Sequence, residues 1–126
     1  MKKVYTNKAP EAVGPYSQAI ISGNLVFASG QLGIGENGKL GEGVAKQTEN
    51  AIKNLSQVLT EAGSGLSNVV KTTCFLADIN DFATFNEIYG KYFSEKPARS
   101  LIEVSALPKG GLVEIEAVAE IPKEND

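Results

Sequence analysis

Between Val44 and Ala62, the positions suited to burial recur at steps of three and four: Val44, Thr48, Ala51, Ile52, Leu55, Val58, Leu59 and Ala62. That spacing places them on one stripe of an α-helix. Gly63 follows directly, where a glycine ends a helix. A second helical pattern runs through Phe82, Phe85, Ile88, Tyr89, Tyr92 and Phe93, with Asn80 or Asp81 as its N-cap. The rest reads as strands. Ala19-Ile20-Ile21 and Leu25 to Ser29 are joined by the tight turn Ser22-Gly23-Asn24. Val69 to Ala77 is a β-branched run, and Leu101 to Ala106 and Leu112 to Ile121 are joined through Pro108-Lys109-Gly110-Gly111. An N-terminal arm runs to about Ala12, ahead of the turn signal Gly14-Pro15. With room for a strand in that arm, the order is β-β-β-α-β-α-β-β. This predicts an α+β fold, a mixed sheet with two helices on one face.

The strands carry a further expectation. Leu25 to Ala28 is apolar on both parities, so both of its faces call for burial. The helices cover one face. A second subunit is the expected cover for the other, with loops as the alternative. In the last strand, Val113, Ile115, Ala117, Ala119 and Ile121 share the core parity. Glu114, Glu116 and Glu120, with Val118 among them, face solvent, a cleft or a neighbouring subunit. Arg99, Leu101 and Glu103 share one parity of the preceding strand. If the two strands pair as a hairpin, Arg99 and Glu114 can line one pocket. Arg99 sits at the mouth of an apolar strand and needs an anion. The choices are Glu103, Glu114 or the carboxylate of a ligand, and the residues alone leave that open.

Composition removes most chemistries. The 126 residues fit one domain, residues 1–126. With no histidine, a Ser-His-Asp triad, a Cys-His pair and a His-ligated metal are all excluded. The single cysteine, Cys74, lies in an apolar strand and reads as a buried structural thiol. Net charge is −3 and the longest basic run is Lys2-Lys3, which offers nucleic acid no footprint. No stretch is apolar enough to span a membrane, and Met1-Lys2-Lys3 leads into no secretory leader, so a cytoplasmic location is expected. Gly33-Ile34-Gly35-Glu36-Asn37-Gly38 matches G-x-G-x-x-G, but no helix opens directly after it. Asn37-Gly38 reads as a hairpin turn instead.

Seven motifs occur together and in order. They are Gly14-Pro15-Tyr16-Ser17-Gln18; Ser29-Gly30-Gln31; Asn54-Leu55 through Glu61-Ala62-Gly63; Val70-Lys71-Thr72-Thr73; Asp81 through Tyr89; Pro97-Ala98-Arg99-Ser100; and Leu107-Pro108-Lys109 with Val113 through Ala117. In these the chain resembles the reactive intermediate deaminase family (RidA, formerly YjgF), from about Val4 to Ile121. The resemblance implies a chorismate-mutase-like fold and a homotrimer with ligand sites between subunits. It implies cofactor-free hydrolysis of 2-imino acids, or their enamine tautomers, to 2-keto acids and ammonia. Arg99 matches the arginine that grips the substrate carboxylate, and Glu114 the glutamate that positions water. Tyr16, Ser29, Gly30 and Asn86 match pocket positions. Leu101 departs from the pattern, because typical deaminases carry cysteine there. Two other readings stand beside this one: a non-catalytic small-molecule-binding regulator using the same cleft, and a ribonuclease or translation inhibitor. Acidic balance and the absence of histidine argue against the last.

Overall fold

The computed structural model describes residues 1–123. Helix α1 spans Gly43–Glu61 and buries the expected stripe, with Ile52, Leu55, Val58 and Leu59 fully inaccessible. It ends as its sequence requires. Gly63 adopts φ +88°, and the Gly63 and Ser64 amides turn back to the carbonyls of Thr60 and Leu59 at 3.0 and 2.9 Å. Helix α2, Phe82–Tyr92, buries Phe85 and Tyr89. Its N-terminus differs from the expectation. Asp81 is the capping residue by position but makes no side-chain cap, and the Asp78 carboxylate instead accepts the Asn80 amide in a short 3₁₀ turn.

The strands are β1 (Lys2–Val4), β2 (Ala19–Ser22), β3 (Leu25–Leu32), β4 (Val69–Leu76), β5 (Ala98–Glu103) and β6 (Val113–Glu120). They form one mixed sheet ordered β1-β2-β3-β6-β4-β5. The element order agrees with the sequence reading, and both helices pack on one face. The β5–β6 hairpin does not form. α2 carries the chain back across the sheet, so β5 lies parallel to β4 at the edge. β6 enters between β3 and β4, where its face of Val113, Ile115, Ala117 and Ala119 is buried. β5 also starts three residues earlier than its apolar run suggested.

β3 runs past Ser29 to Leu32 through a bulge. From Ala28 to Gln31 β3 advances three steps while β6 advances two, from Ala117 to Ile115, so β3 carries one extra residue. The Gly33–Gly41 segment beyond is a hairpin, closed by Gly35 N–H to the Lys39 carbonyl at 2.8 Å with Gly38 at φ +79°. α1 starts only at Gly43, so the glycine motif does not open a helix. Polar residues on α1 hold this segment instead. Asn50 and Asn54 donate to the carbonyls of Gly33, Leu32 and Ile34, and Gln47 bridges the Gly41 carbonyl and the Leu112 amide.

Among the described residues, no helix covers the sheet's other face. Ile20, Phe27 and Val118 stand in register across β2, β3 and β6, and Phe27 and Ile102 remain 46% and 47% exposed. That row accounts for the two-sided apolar character of β3.

Candidate active site

The sequence-derived site residues fall into two groups. The first gathers at the bulge. Gln18 is buried and its side-chain amide clamps the N-terminal arm, accepting the Thr6 amide at 2.7 Å and donating to the carbonyls of Thr6 and Pro10. Ser29 Oγ donates to the Ser17 carbonyl at 2.6 Å, which ties the Tyr16 segment to β3. Its hydroxyl is thereby committed to the backbone, and Ser29 is not among the groove-lining residues. Tyr16, Gly30 and Glu114 do line a groove of about 940 Å³, together with Asn54 and Lys109. Glu114 lies so close over Gly30 that a Cβ there would sit 2.7 Å from Glu114 Oε1. Half-burial raises the Glu114 pKa above its ordinary 4.5, and the neighbouring Glu116 charge adds to the effect.

The second group lies at the β5 edge against α2. Arg99 Nη1 donates to Asn86 Oδ1 at 2.7 Å. The guanidinium carbon stands 4.8 Å from the Tyr89 ring centroid and 5.8 Å from that of Phe82. Leu101, two residues along on the same face, is half-buried against the core. Its register partner Cys74 is fully buried, and burial pushes the thiol up to about 11, which leaves no thiolate for nucleophilic work at neutral pH.

The endoribonuclease L-PSP family model matches residues 6–121. The chain belongs to this family, that of the reactive intermediate deaminases. The human 2-iminobutanoate/2-iminopropanoate deaminase is 52% identical over 119 residues, 92% of this chain and 87% of the human protein. A RutC family protein of Pyrococcus abyssi is 50% identical over 119 residues, 92% of this chain and 94% of its own length. The crystal structure of Escherichia coli TdcF with bound serine superposes with a TM-score of 0.92 at 38% identity, covering 95% of this chain and 98% of that one.

In this family member, neither carboxylate suggested for Arg99 is its partner. Glu103 Oε1 accepts the Ile79 amide at 2.9 Å. Glu114 lies on the opposite face of the sheet from Arg99. Arg99 is in register with the buried Thr72 on the helix face, whereas Glu114 is in register with Phe75 and Leu32 on the open face. With β4 between β5 and β6, the two side chains start two strand spacings apart, about 10 Å across the sheet, and three residues, about 10 Å, along it, and they point to opposite faces. A single subunit does not bring Arg99, Asn86 and Leu101 into one pocket with Tyr16, Gly30 and Glu114. The shared hairpin pocket is therefore corrected: the two groups lie apart, on opposite faces of one sheet.

Sequence reasoning also missed Phe82 and Tyr89 as supports for Arg99. Their signal was present, since Phe82, Asn86 and Tyr89 are spaced four and three apart on one helical stripe. Lys109 went unnoticed as a groove residue; it adopts φ +60° in the Pro108–Gly110 turn. Among the described residues, no cluster of three or more His, Cys, Asp or Glu could hold a metal ion. No helix among them is long and apolar enough to cross a membrane.

Proposed function

We propose that the protein hydrolyses small 2-imino acids to 2-keto acids and ammonia, at a site completed by two subunits of a homotrimer. The observation that carries this reading is Arg99. Its guanidinium is presented at a sheet edge and is held by a neutral amide and aromatic rings, which leaves its charge for a ligand carboxylate. A relative named for imine deamination at 52% identity, and another solved with serine, an α-amino acid, support the substrate class. Arg99 grips the carboxylate bidentately, with Asn86 and Leu101 beside it. Glu114 of a second copy orients a water against C2 of the protonated imine. As the C–O bond forms, Glu114 takes a proton from the water and returns it to the nitrogen. The C–N bond of the N-protonated carbinolamine then breaks as Glu114 takes the hydroxyl proton and passes it to the departing ammonia, releasing ammonium and the 2-keto acid. Tyr16 and Gly30 wall the groove, and Ser29 holds the Tyr16 segment in place. The apolar row on the open face suits burial between copies, and the cytosol is the proposed compartment.

The coupled assay tests this. An amino-acid oxidase generating 2-iminobutanoate in situ is expected to release 2-oxobutanoate faster when the pure protein is added. An unchanged release rate would overturn the reading. Tight 2-oxobutanoate binding without turnover would favour a regulator, the reading that Leu101 in place of cysteine keeps open. RNA cleavage is expected to be absent, given no histidine and a net charge of −3.

The raised Glu114 pKa fixes a pH dependence. The base must be ionised to accept a proton, so kcat/KM falls as pH drops through a value above 4.5. Glu116→Gln removes a like charge, lowers the Glu114 pKa and moves that acid limb to lower pH. A limb that stays or moves upward in the pH–rate profile contradicts the assignment.

A further inference from the structure

We propose that Tyr89 is the positioning residue that sets the guanidinium of Arg99 for carboxylate binding, and that Thr72 locks Tyr89 in that role. The proposal rests on Arg99 being the carboxylate anchor. Arg99 lies on an edge strand, where nothing in the strand itself restrains a long side chain. Its restraint comes from α2. Asn86 takes one N–H, and the Tyr89 ring lies under the guanidinium at 4.8 Å. With the ring beneath the cation and one N–H committed to Asn86, the remaining N–H groups are free for a carboxylate to accept two of them.

Tyr89 can serve as a platform because it is held at both ring and hydroxyl. Its ring stacks on Phe93 at 4.4 Å and packs against Phe85 at 5.6 Å. Its hydroxyl hydrogen-bonds Thr72 Oγ1 at 2.7 Å, and Thr72 is fully buried. Thr72 is also the register partner of Arg99 on the adjacent strand. The hydroxyl contact therefore references the ring to the backbone position from which Arg99 projects. A phenylalanine would keep the platform but lose that reference. An aliphatic residue would lose both.

Core packing alone would also bury a tyrosine here, and the two roles separate by measurement. Calorimetric titration with 2-oxobutanoate gives the dissociation constant and the binding-competent fraction for wild type, Tyr89→Phe, Tyr89→Leu and Arg99→Ala. A packing role lowers the competent fraction and Tm but leaves the constant of the folded molecules unchanged. A positioning role raises the constant at full stoichiometry. Tyr89→Leu is expected to weaken binding about tenfold and Tyr89→Phe about threefold, as loss of the cation–π contact and loss of its anchoring hydroxyl respectively imply. If Tyr89→Leu does not fold, Tyr89→Met replaces it with the same expectation. The proposal is overturned if the folded aliphatic variant binds within about twofold of wild type, and its Thr72 lock is overturned if Tyr89→Phe binds as tightly as wild type. Arg99→Ala distinguishes the underlying reading. Undiminished binding there would remove Arg99 as the anchor itself, whereas lost binding there with intact Tyr89→Leu would remove only the role of Tyr89.

Discussion

Arg99→Ala is expected to lower kcat/KM for 2-imino acid hydrolysis by about 100-fold or more, with Tm within about 4 °C of wild type. Activity and stability part company because of where Arg99 stands. It projects from an edge strand and hydrogen-bonds Asn86, itself exposed. Removing it leaves no buried cavity and orphans no buried polar atom. The substrate loses its only strong orienting charge, and with it the alignment of C2 towards the water. Arg99→Lys is expected to recover only part of the activity, because an ammonium is a point charge and does not span both carboxylate oxygens. Steady-state rates in the oxidase-coupled assay, with a thermal melt on the same samples, check both halves. Turnover near wild type in folded Arg99→Ala would contradict them.

Gly30→Ala is the second large effect. A single methyl at position 30 would meet Glu114 Oε1 at 2.7 Å, Cδ at 2.8 Å and Cγ at 2.9 Å. The clash reaches from the carboxylate back to Cγ, so the whole side chain must rotate about its Cα–Cβ bond, which carries the carboxylate away without moving the backbone. The fold is expected to survive with a change of about 1 kcal/mol or less. Catalysis is not. A base displaced by about 1 Å loses its placement of water, and kcat is expected to fall by about 100-fold. The control is Gly38→Ala in the hairpin turn. It is strained by φ +79° but meets nothing within 4 Å, so its effect falls on stability rather than kcat. Equal kcat for Gly30→Ala and wild type would place Glu114 outside the chemistry.

Much of this architecture was legible in the chain. The stripe from Val44 to Ala62 and the Gly63 stop gave α1 almost to the residue, because helix period and C-terminal capping are both local. The faces of β6 followed from alternation alone. Strand neighbours were not legible in the same way. Leu101–Ala106 and Leu112–Ile121 looked like a hairpin because they are adjacent in sequence. Pairing is decided instead by the α2 crossover, which sets β5 parallel to β4, and by the buried face of β6, which claims a central position. The bulge at Ser29-Gly30 was hidden for a related reason. Its extra residue exists only relative to β6, and no pattern within β3 records it. The candidate residues could be named one by one from the sequence, yet their division between two faces could appear only once the strand order was known. The supports of Arg99 on α2 were visible as spacing but had no meaning until β5 was placed beside that helix.

The central claim is that Arg99 and Glu114 act from different subunits. Mixing inactive variants tests it most directly. Arg99→Ala and Glu114→Gln subunits are denatured, combined in equal amounts and refolded together. In a three-membered ring each mixed trimer contains one interface with both groups intact, so a random mixture should recover about a quarter of wild-type activity. Recovery to that level, with each variant refolded alone remaining inactive, is the predicted result. Mixed oligomers that form but show no recovered activity would contradict the account.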